Sequence, residues 1–255
     1  MKVYFIGAGP GDPELLTLRG KRLIEQSPVI VYAGSLVSTE ILKFAKNARA
    51  TYNSAEMELG ELREVYEQAL KYNHDVARIH SGDPSIYGAI NEQFAVLEEL
   101  QIEYEVVPGV SSFQAAAAAL KTEFTAPEIC QTITLSRVAG RTPVPAKEEL
   151  ELIAAPQPTL VLFLSILQLK SIIERLLKIY PPKTPVAVLS RLSWPDEAIF
   201  KGELNTILEI MDGANIKNSA LIVVSESLNN NTNFSRLYAA EFAHGFRNKK
   251  ESSGE

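Results

Sequence analysis

The chain has one cysteine, three histidines and one tryptophan among 255 residues, and no excess of positive charge: its formal net charge is −6. A lone thiol, Cys130, forms no intramolecular disulfide, which fits a reducing compartment and leaves the fold to rest on burial. Neither paired cysteines nor closely spaced histidines occur, so no protein-held metal is expected. The negative balance removes a general electrostatic grip on nucleic acid or on an anionic membrane, and neither is expected as a partner. An acidic small molecule stays open, because a local group of arginines outweighs the global sign at short range. Long apolar runs are missing as well. The longest, Leu160–Leu164 and Ala115–Leu120, fall far short of the ~18–20 residues that cross a bilayer. The opening MKVYFIGAGPGD runs from one lysine into a short strand-like stretch and a glycine loop, unlike a secretory signal. A soluble, cytoplasmic protein is expected.

What is present is ordinary globular material, 46% apolar and 22% charged, in a chain long enough for two modest domains. Val3–Ile6, Val29–Tyr32, Val76–Ile79 and Tyr104–Val107 read as buried strands. Between them, Glu14–Glu25, Glu40–Lys46, Glu61–Tyr72 and Ile90–Leu100 carry apolar residues at helical spacing. Alternation of this kind predicts a parallel sheet with helices on its faces. A second series follows: strands at Thr132–Leu135, Leu160–Leu164, Val186–Leu189, Ala198–Phe200 and Leu221–Val224, with helices at Leu167–Lys178 and Thr206–Met211. The turn before Ala198 suggests an antiparallel addition, hence a mixed sheet. We expect an α/β architecture of two domains, 1–120 and 121–230, with the active site in the cleft between them and a polar tail over 231–255. The join falls near Lys121–Glu128, and no internal repeat of fixed period is visible.

Three loops stand where strands end. Gly7-Ala8-Gly9-Pro10-Gly11-Asp12-Pro13 invites a dinucleotide reading, but its third glycine comes one residue early and Pro10 removes a backbone donor. The second strand also lacks the acidic residue that grips a ribose. Ser81-Gly82-Asp83-Pro84-Ser85-Ile86-Tyr87-Gly88 follows the strand VARI, and Pro108-Gly109-Val110-Ser111-Ser112-Phe113 leads into an alanine-rich helix. Ligands in open α/β sheets bind at the carboxyl ends of strands, so the three loops predict one shared site. Asp83 is suited to accept hydrogen bonds from a ribose or an amino group. Ser111 and Ser112 offer polar contacts or, equally, helix caps.

The ordered set GAGPGDPELLT (7–17), SGDPSIYG (81–88) and PGVSSF (108–113) resembles the tetrapyrrole methylase family. Within that family, VYAGSLV (31–37), GRTPVP (140–145) and RLSWPDE (191–197) resemble the branch that methylates a corrin-pathway ring at C11. The resemblance spans about residues 2–228. It implies S-adenosylmethionine as cofactor, a tetrapyrrole substrate and a homodimer. It further implies that Pro10, Ser81, Gly82, Asp83, Ile86, Ser111 and Ser112 line the cofactor, joined by Leu164, Leu192 and Ala220 of the second half. Leu192 and Ser193 replace the alanine and threonine of the branch pattern, which leaves a backbone contact intact but alters local pocket shape. Other members of the family, of the uroporphyrinogen-III or precorrin-2 type, and a non-catalytic nucleotide or tetrapyrrole carrier are the competing readings.

An activated methyl group mainly needs alignment, and orientation alone lowers a barrier by ~7–11 kcal/mol. Attack by a fully substituted ring carbon releases no proton from that carbon, so no residue is assigned as catalytic base. His74 and His244 are read as solvated. His80, beside SGDP, is read as structural, with substrate contact as the alternative. The substrate's carboxylates call for cations, and Arg137, Arg141 and Arg191 lie in loop-like segments suited to planar pairing. Cys130 is read as an inert thiol, and Tyr32 and Tyr87 as packing residues.

Overall fold

A computed structural model describes residues 1–229 and, beyond them, residues 235, 239, 242, 243 and 245. His244 and nearly all of the expected tail 231–255 lie outside the described residues. The chain separates into two compact units. The first comprises Met1–Ala119, Leu189–Ile199 and Ile216–Leu221; the second comprises Leu120–Val188, Phe200–Asn215 and Ile222–Glu255. Two short segments from the second half of the sequence thus belong with the first unit, an assignment that no linear boundary describes.

In the first half, β1 (Lys2–Gly7), β2 (Val29–Tyr32), β3 (Ala50–Asn53), β4 (Val76–His80) and β5 (Glu103–Val107) form one sheet in the order β3-β2-β4-β1-β5. Every pairing is parallel. Helices α1 (Leu18–Gln26), α2 (Leu59–Lys71), α3 (Asn91–Glu99) and α4 (Ser112–Leu120) complete this half. Strand side chains alternate between two cores. Val3, Phe5, Val29, Val31 and Val76 pack with Leu62, Val65 and Tyr66 of α2 and with Val96 and Leu97 of α3. On the opposite face Ile6, Ile30, Ala77 and Ile79 pack with Leu23 and Ile24 of α1. Gly20 lets α1 lie close, since a Cβ there would stand 2.9 Å from Ile6 Cγ2.

The apolar stretch expected as one helix over Glu14–Glu25 is two elements: a 3₁₀ turn at Pro13–Leu15, then α1, whose first turn is capped by Thr17 Oγ1 accepting from Gly20 N at 3.0 Å. Glu40–Lys46 is likewise a 3₁₀ stretch, Thr39–Phe44, rather than an α-helix. β3 escaped the periodicity because none of its residues is fully buried, as befits an edge strand.

The second sheet runs β6 (Ile133–Ser136), β7 (Thr159–Leu162), β10 (Ala220–Val224), β8 (Pro185–Ser190), β9 (Ala198–Glu203). It is mixed, with β6 and β7 parallel but β7 and β10 antiparallel. Helices α5 (Leu150–Ala154), α6 (Leu169–Leu176) and α7 (Ile207–Ile210) accompany it. β7 is buried throughout. Its first residue, Thr159, donates from Oγ1 to the Phe124 carbonyl at 2.7 Å and lies 2.8 Å from Ser225 Oγ, so this buried hydroxyl is satisfied. Among the described residues no helix is long and apolar enough to cross a membrane.

Candidate active site

Parallel register brings the strand ends of the first unit level: Gly7 lies beside His80 and Ile6 beside Val107. The loops that follow are stitched by backbone. Ala8 N donates to the His80 carbonyl at 2.8 Å, Gly82 N to the Gly9 carbonyl at 2.8 Å, and Gly9 N to the Gly82 carbonyl at 3.3 Å. Gly9 and Gly82 hold φ of +80° and +62°, dihedrals that side chains oppose. The third loop is pressed against both. A Cβ on Gly7 would stand 2.6 Å from Gly109 Cα, and one on Gly109 would overlap the Gly82 carbonyl. Three glycines from three loops thus meet at one point.

Asp83 ties this junction together. Its Oδ2 accepts from Gly109 N at 2.9 Å, while Oδ1 accepts from Ser85 N at 2.8 Å and from Ser85 Oγ. Partial burial opposes ionisation, but the Ser85 hydroxyl and the two backbone donors together outweigh it and hold the carboxyl below the ordinary carboxylate range. The carboxylate therefore anchors the second and third loops to each other. Ser111, buried, begins the turn into α4 with its carbonyl accepting from Gln114 N at 3.1 Å, and its own N–H donates to Gln114 Oε1 at 2.8 Å. Ser112 is the first residue of α4. Ser81 and Ile86 are half-buried in the second loop.

A fourth segment of the same unit closes on the glycine loop. Trp194 Nε1 donates to the Pro10 carbonyl at 2.9 Å, and Asp12 N donates to Ser193 Oγ at 3.0 Å. Gly11 has no room for a side chain, since a Cβ would overlap the Trp194 ring and approach the Leu192 carbonyl to 2.9 Å. Arg191 and Ser193 sit at φ of +48° and +61°, a conformation unfavourable for side-chain-bearing residues. Arg191 N donates to the Ser219 carbonyl at 2.8 Å, one residue before Ala220. The Arg191 guanidinium is already engaged: it lies 4.1 Å over the Trp194 ring and pairs with Asp196 at 2.6 Å.

In the second unit, Leu164 follows β7 at φ +52° with its side chain 67% exposed, a strained and solvent-facing position for leucine. Arg137 is used within its own loop, donating to the carbonyls of Thr142 at 3.1 Å and Pro143 at 2.6 Å. Arg141, exposed in that loop, makes no such tie among the described residues. Of the ten expected cofactor residues, Pro10, Ser81, Gly82, Asp83, Ile86, Ser111, Ser112, Leu192 and Ala220 belong to the first unit, and Leu164 to the second. Among the three expected cations, Arg137 and Arg191 are engaged within the chain.

Sequence reasoning placed Gly109 in the third loop without its close approach to Gly7 and Gly82, and it missed the role of Trp194 and a buried polar group beneath the second loop. Arg78 and His80, two apart on β4, share one face and are both buried. His80 stacks on Phe5 with centroids 5.8 Å apart, its Nε2 has no hydrogen-bond partner among the described residues, and burial together with the nearby Arg78 charge pulls its pKa down to about 3. It is a neutral core residue, in line with the structural reading. Trp194 was discoverable from the aromatic inside RLSWPDE; a charged residue inside a buried strand was the other available signal.

The matches to known proteins agree with this arrangement. The family model of the tetrapyrrole (corrin/porphyrin) methylases matches residues 2–208, and the chain belongs to that family. Among curated relatives it is 46% identical to the cobalt-precorrin-4 C(11)-methyltransferase of Methanocaldococcus jannaschii, covering 96% of each chain. It is 48% identical to the precorrin-4 C(11)-methyltransferase of Pseudomonas aeruginosa, covering 97% of this chain and 99% of the other. Among solved structures, a cobalt precorrin-4 methyltransferase of cobalamin biosynthesis superposes with a TM-score of 0.86 at 38% identity, covering 89% of this chain and 95% of that one. A uroporphyrin-III C-methyltransferase of Thermus thermophilus, complexed with S-adenosyl homocysteine, superposes with a TM-score of 0.73 at 27% identity, over 90% and 94% of the two chains.

Proposed function

We propose that this chain is the S-adenosylmethionine-dependent methyltransferase that modifies C11 of a precorrin-4-type ring in cobalamin biosynthesis. The observation that carries the reading is the meeting of the three loops after β1, β4 and β5, in a chain whose near-full-length relatives at 46% and 48% identity bear that activity. The more distant uroporphyrin-III enzyme, at 27%, supports the cofactor rather than the substrate.

The loops fit such a cofactor. At Gly82 a Cβ would make ordinary van der Waals contact with the third loop, 3.6 Å from Ser111 Cα, so its positive φ rather than crowding is what favours glycine there. Ser81, Gly82, Ile86, Ser111 and Ser112 offer hydroxyls, apolar surface and backbone groups in the second and third loops, a set suited to an amino acid and a ribose. When bound, S-adenosylmethionine supplies a methyl group on positively charged sulfur. The chain's contribution is alignment. Asp83 fixes the second and third loops to each other, and Trp194 fixes the glycine loop, so the walls are already in place when ligand arrives. On the substrate side, Arg141 is the expected cation left uncommitted, and we assign it to a carboxylate of the tetrapyrrole. The residue set names no general base, and methylation at a substituted carbon requires none at that atom.

We further place the enzyme in the cytoplasm as a homodimer. The lone thiol supports the first statement and the family resemblance the second. Sedimentation of the purified protein tests the dimer. Function is tested by incubating the protein with S-adenosylmethionine and a panel of pathway tetrapyrroles, with and without cobalt, and weighing the products. A gain of one methyl group on a precorrin-4-type ring is expected. Methylation of uroporphyrinogen III alone would transfer the protein to another branch, and no methylation of any ring would favour a carrier.

A further inference from the structure

We infer that Gln93 is a positioning residue for the cofactor loop, holding the segment after Asp83 in a strained shape through a buried network that reaches into the core. The inference rests on the assignment of that loop to S-adenosylmethionine. The segment has reason to need holding. Tyr87 and Ala89 sit at φ of +55° and +49°, and Gly88 lies so close under Pro84 that a Cβ would overlap its carbonyl. Two left-handed residues with side chains in three positions are unfavourable unless the surroundings impose them.

Gln93, 3% exposed at the start of α3, supplies the imposition. Its Nε2 donates to the Ala89 carbonyl at 2.7 Å. Its Oε1 accepts from Arg78 Nε at 2.9 Å and from Tyr66 Oη at 3.0 Å. The amide cannot turn over, because a guanidinium only donates and a carbonyl only accepts. The two ends of the amide are therefore committed in opposite directions, the oxygen to α2 and β4 and the nitrogen to the loop. Helix α3 has no side-chain cap at Ile90, so the Gln93 amide is the side-chain tie at this entry. Arg78, buried without a carboxylate partner among the described residues, gives the network its rigidity, since moving Gln93 away would strand a charge in the core.

The two ends of the amide can be separated by experiment. Gln93→Glu keeps an acceptor for Tyr66 and gives Arg78 a counter-charge, so the core side is preserved. It removes the donor and sets a carboxylate oxygen against the Ala89 carbonyl. We expect the variant to melt no lower than the native protein. Its affinity for S-adenosylmethionine, by calorimetric titration, should fall roughly three- to tenfold, the size of one lost hydrogen bond. In turnover the KM for the cofactor should rise while kcat at saturating cofactor holds. Unchanged affinity in folded Gln93→Glu, or a loss that merely tracks lower melting, would overturn the proposal. Should that variant fail to fold, Ala89→Val leaves the network intact and opposes the φ of +49° from the loop side. Weakened cofactor binding supports the proposal there, and unchanged binding overturns it. Native protein that bound no S-adenosylmethionine would instead overturn the cofactor assignment itself, and this proposal with it.

Discussion

The loops of the first unit and the Arg137–Pro145 loop of the second differ in how closely main chain approaches main chain. In the first, a Cβ on Gly7 or Gly109 would overlap the backbone of a neighbouring loop, and main-chain hydrogen bonds together with the Asp83 carboxylate join the loops. In the second, the Arg137 guanidinium gathers the carbonyls of Thr142 and Pro143 beside one backbone bond from Gly140 N to the Thr142 carbonyl, and a Cβ on Gly140 would meet only Gln168 Nε2 at 3.4 Å. On the proposed assignment, the close-packed loops would serve the cofactor and the exposed arginine loop the carboxylates of the ring.

That contrast is most easily broken with glycine. Gly109→Val forces a branched side chain into Gly82 and Gly7, and should destabilise the protein by on the order of 3 kcal/mol while abolishing cofactor binding. Gly140→Ala in the second unit meets only Gln168 Nε2 at 3.4 Å and should change stability by less than about 0.5 kcal/mol. Urea unfolding of both variants measures the asymmetry, and equal losses would dissolve it.

Acid sharpens the same comparison from the core side. His80 stays neutral in the folded chain down to a pKa of about 3, whereas an unfolded histidine takes its proton near a pH of about 6.5. Between those values the unfolded state binds the extra proton, so stability is full above pH ~6.5 and declines as pH falls toward ~3. His80→Phe should flatten that part of the stability profile without altering it near pH ~8. A slope that survives the substitution would assign the acid sensitivity to other groups, Asp83 first among them.

The smallest expected effect is on the substrate side. Arg141→Ala should raise the KM for the tetrapyrrole several-fold, by the ~1–1.5 kcal/mol of a charge-assisted contact at an exposed site, and leave the KM for the cofactor unchanged. Arg141→Lys should rescue poorly if the contact is a planar pair. Raising the salt concentration should weaken substrate capture in native protein more than in Arg141→Ala. Equal salt dependence in the two would remove this arginine from the site.

Much of the site was legible because glycine and proline mark strand ends: GAGPGD, SGDP and PGVSS announced all three loops, and the alternation of periods announced the parallel sheet. What stayed hidden depends on contacts distant in sequence. No local pattern ties Trp194 to Gly11, or sends the Asp83 carboxylate to Gly109 instead of outward. Gln93, in the sequence NEQF, looks like one more solvated helix residue, and Arg78 in VARIH looks like a break in a strand. Only the fold reveals that each buries a polar group against the other. β3 was obscured for a simpler reason, being too short and too exposed for its period to register, while the helical spacing of Glu40–Lys46 did not distinguish a 3₁₀ stretch from an α-helix.

The central claim is that the cofactor lies against the Gly82 backbone, and Gly82→Ala tests it most directly. Within the protein the added methyl would come no closer than 3.6 Å to Ser111 Cα, so its cost to folding is limited to the positive φ, about 1 kcal/mol. Titration of S-adenosylmethionine into the folded variant should show affinity reduced by at least about tenfold, since a methyl group that clashes with ligand forfeits more than ~1.4 kcal/mol of binding. Native-like affinity in folded Gly82→Ala would mean that the cofactor lies elsewhere and that the three glycine loops are only architecture.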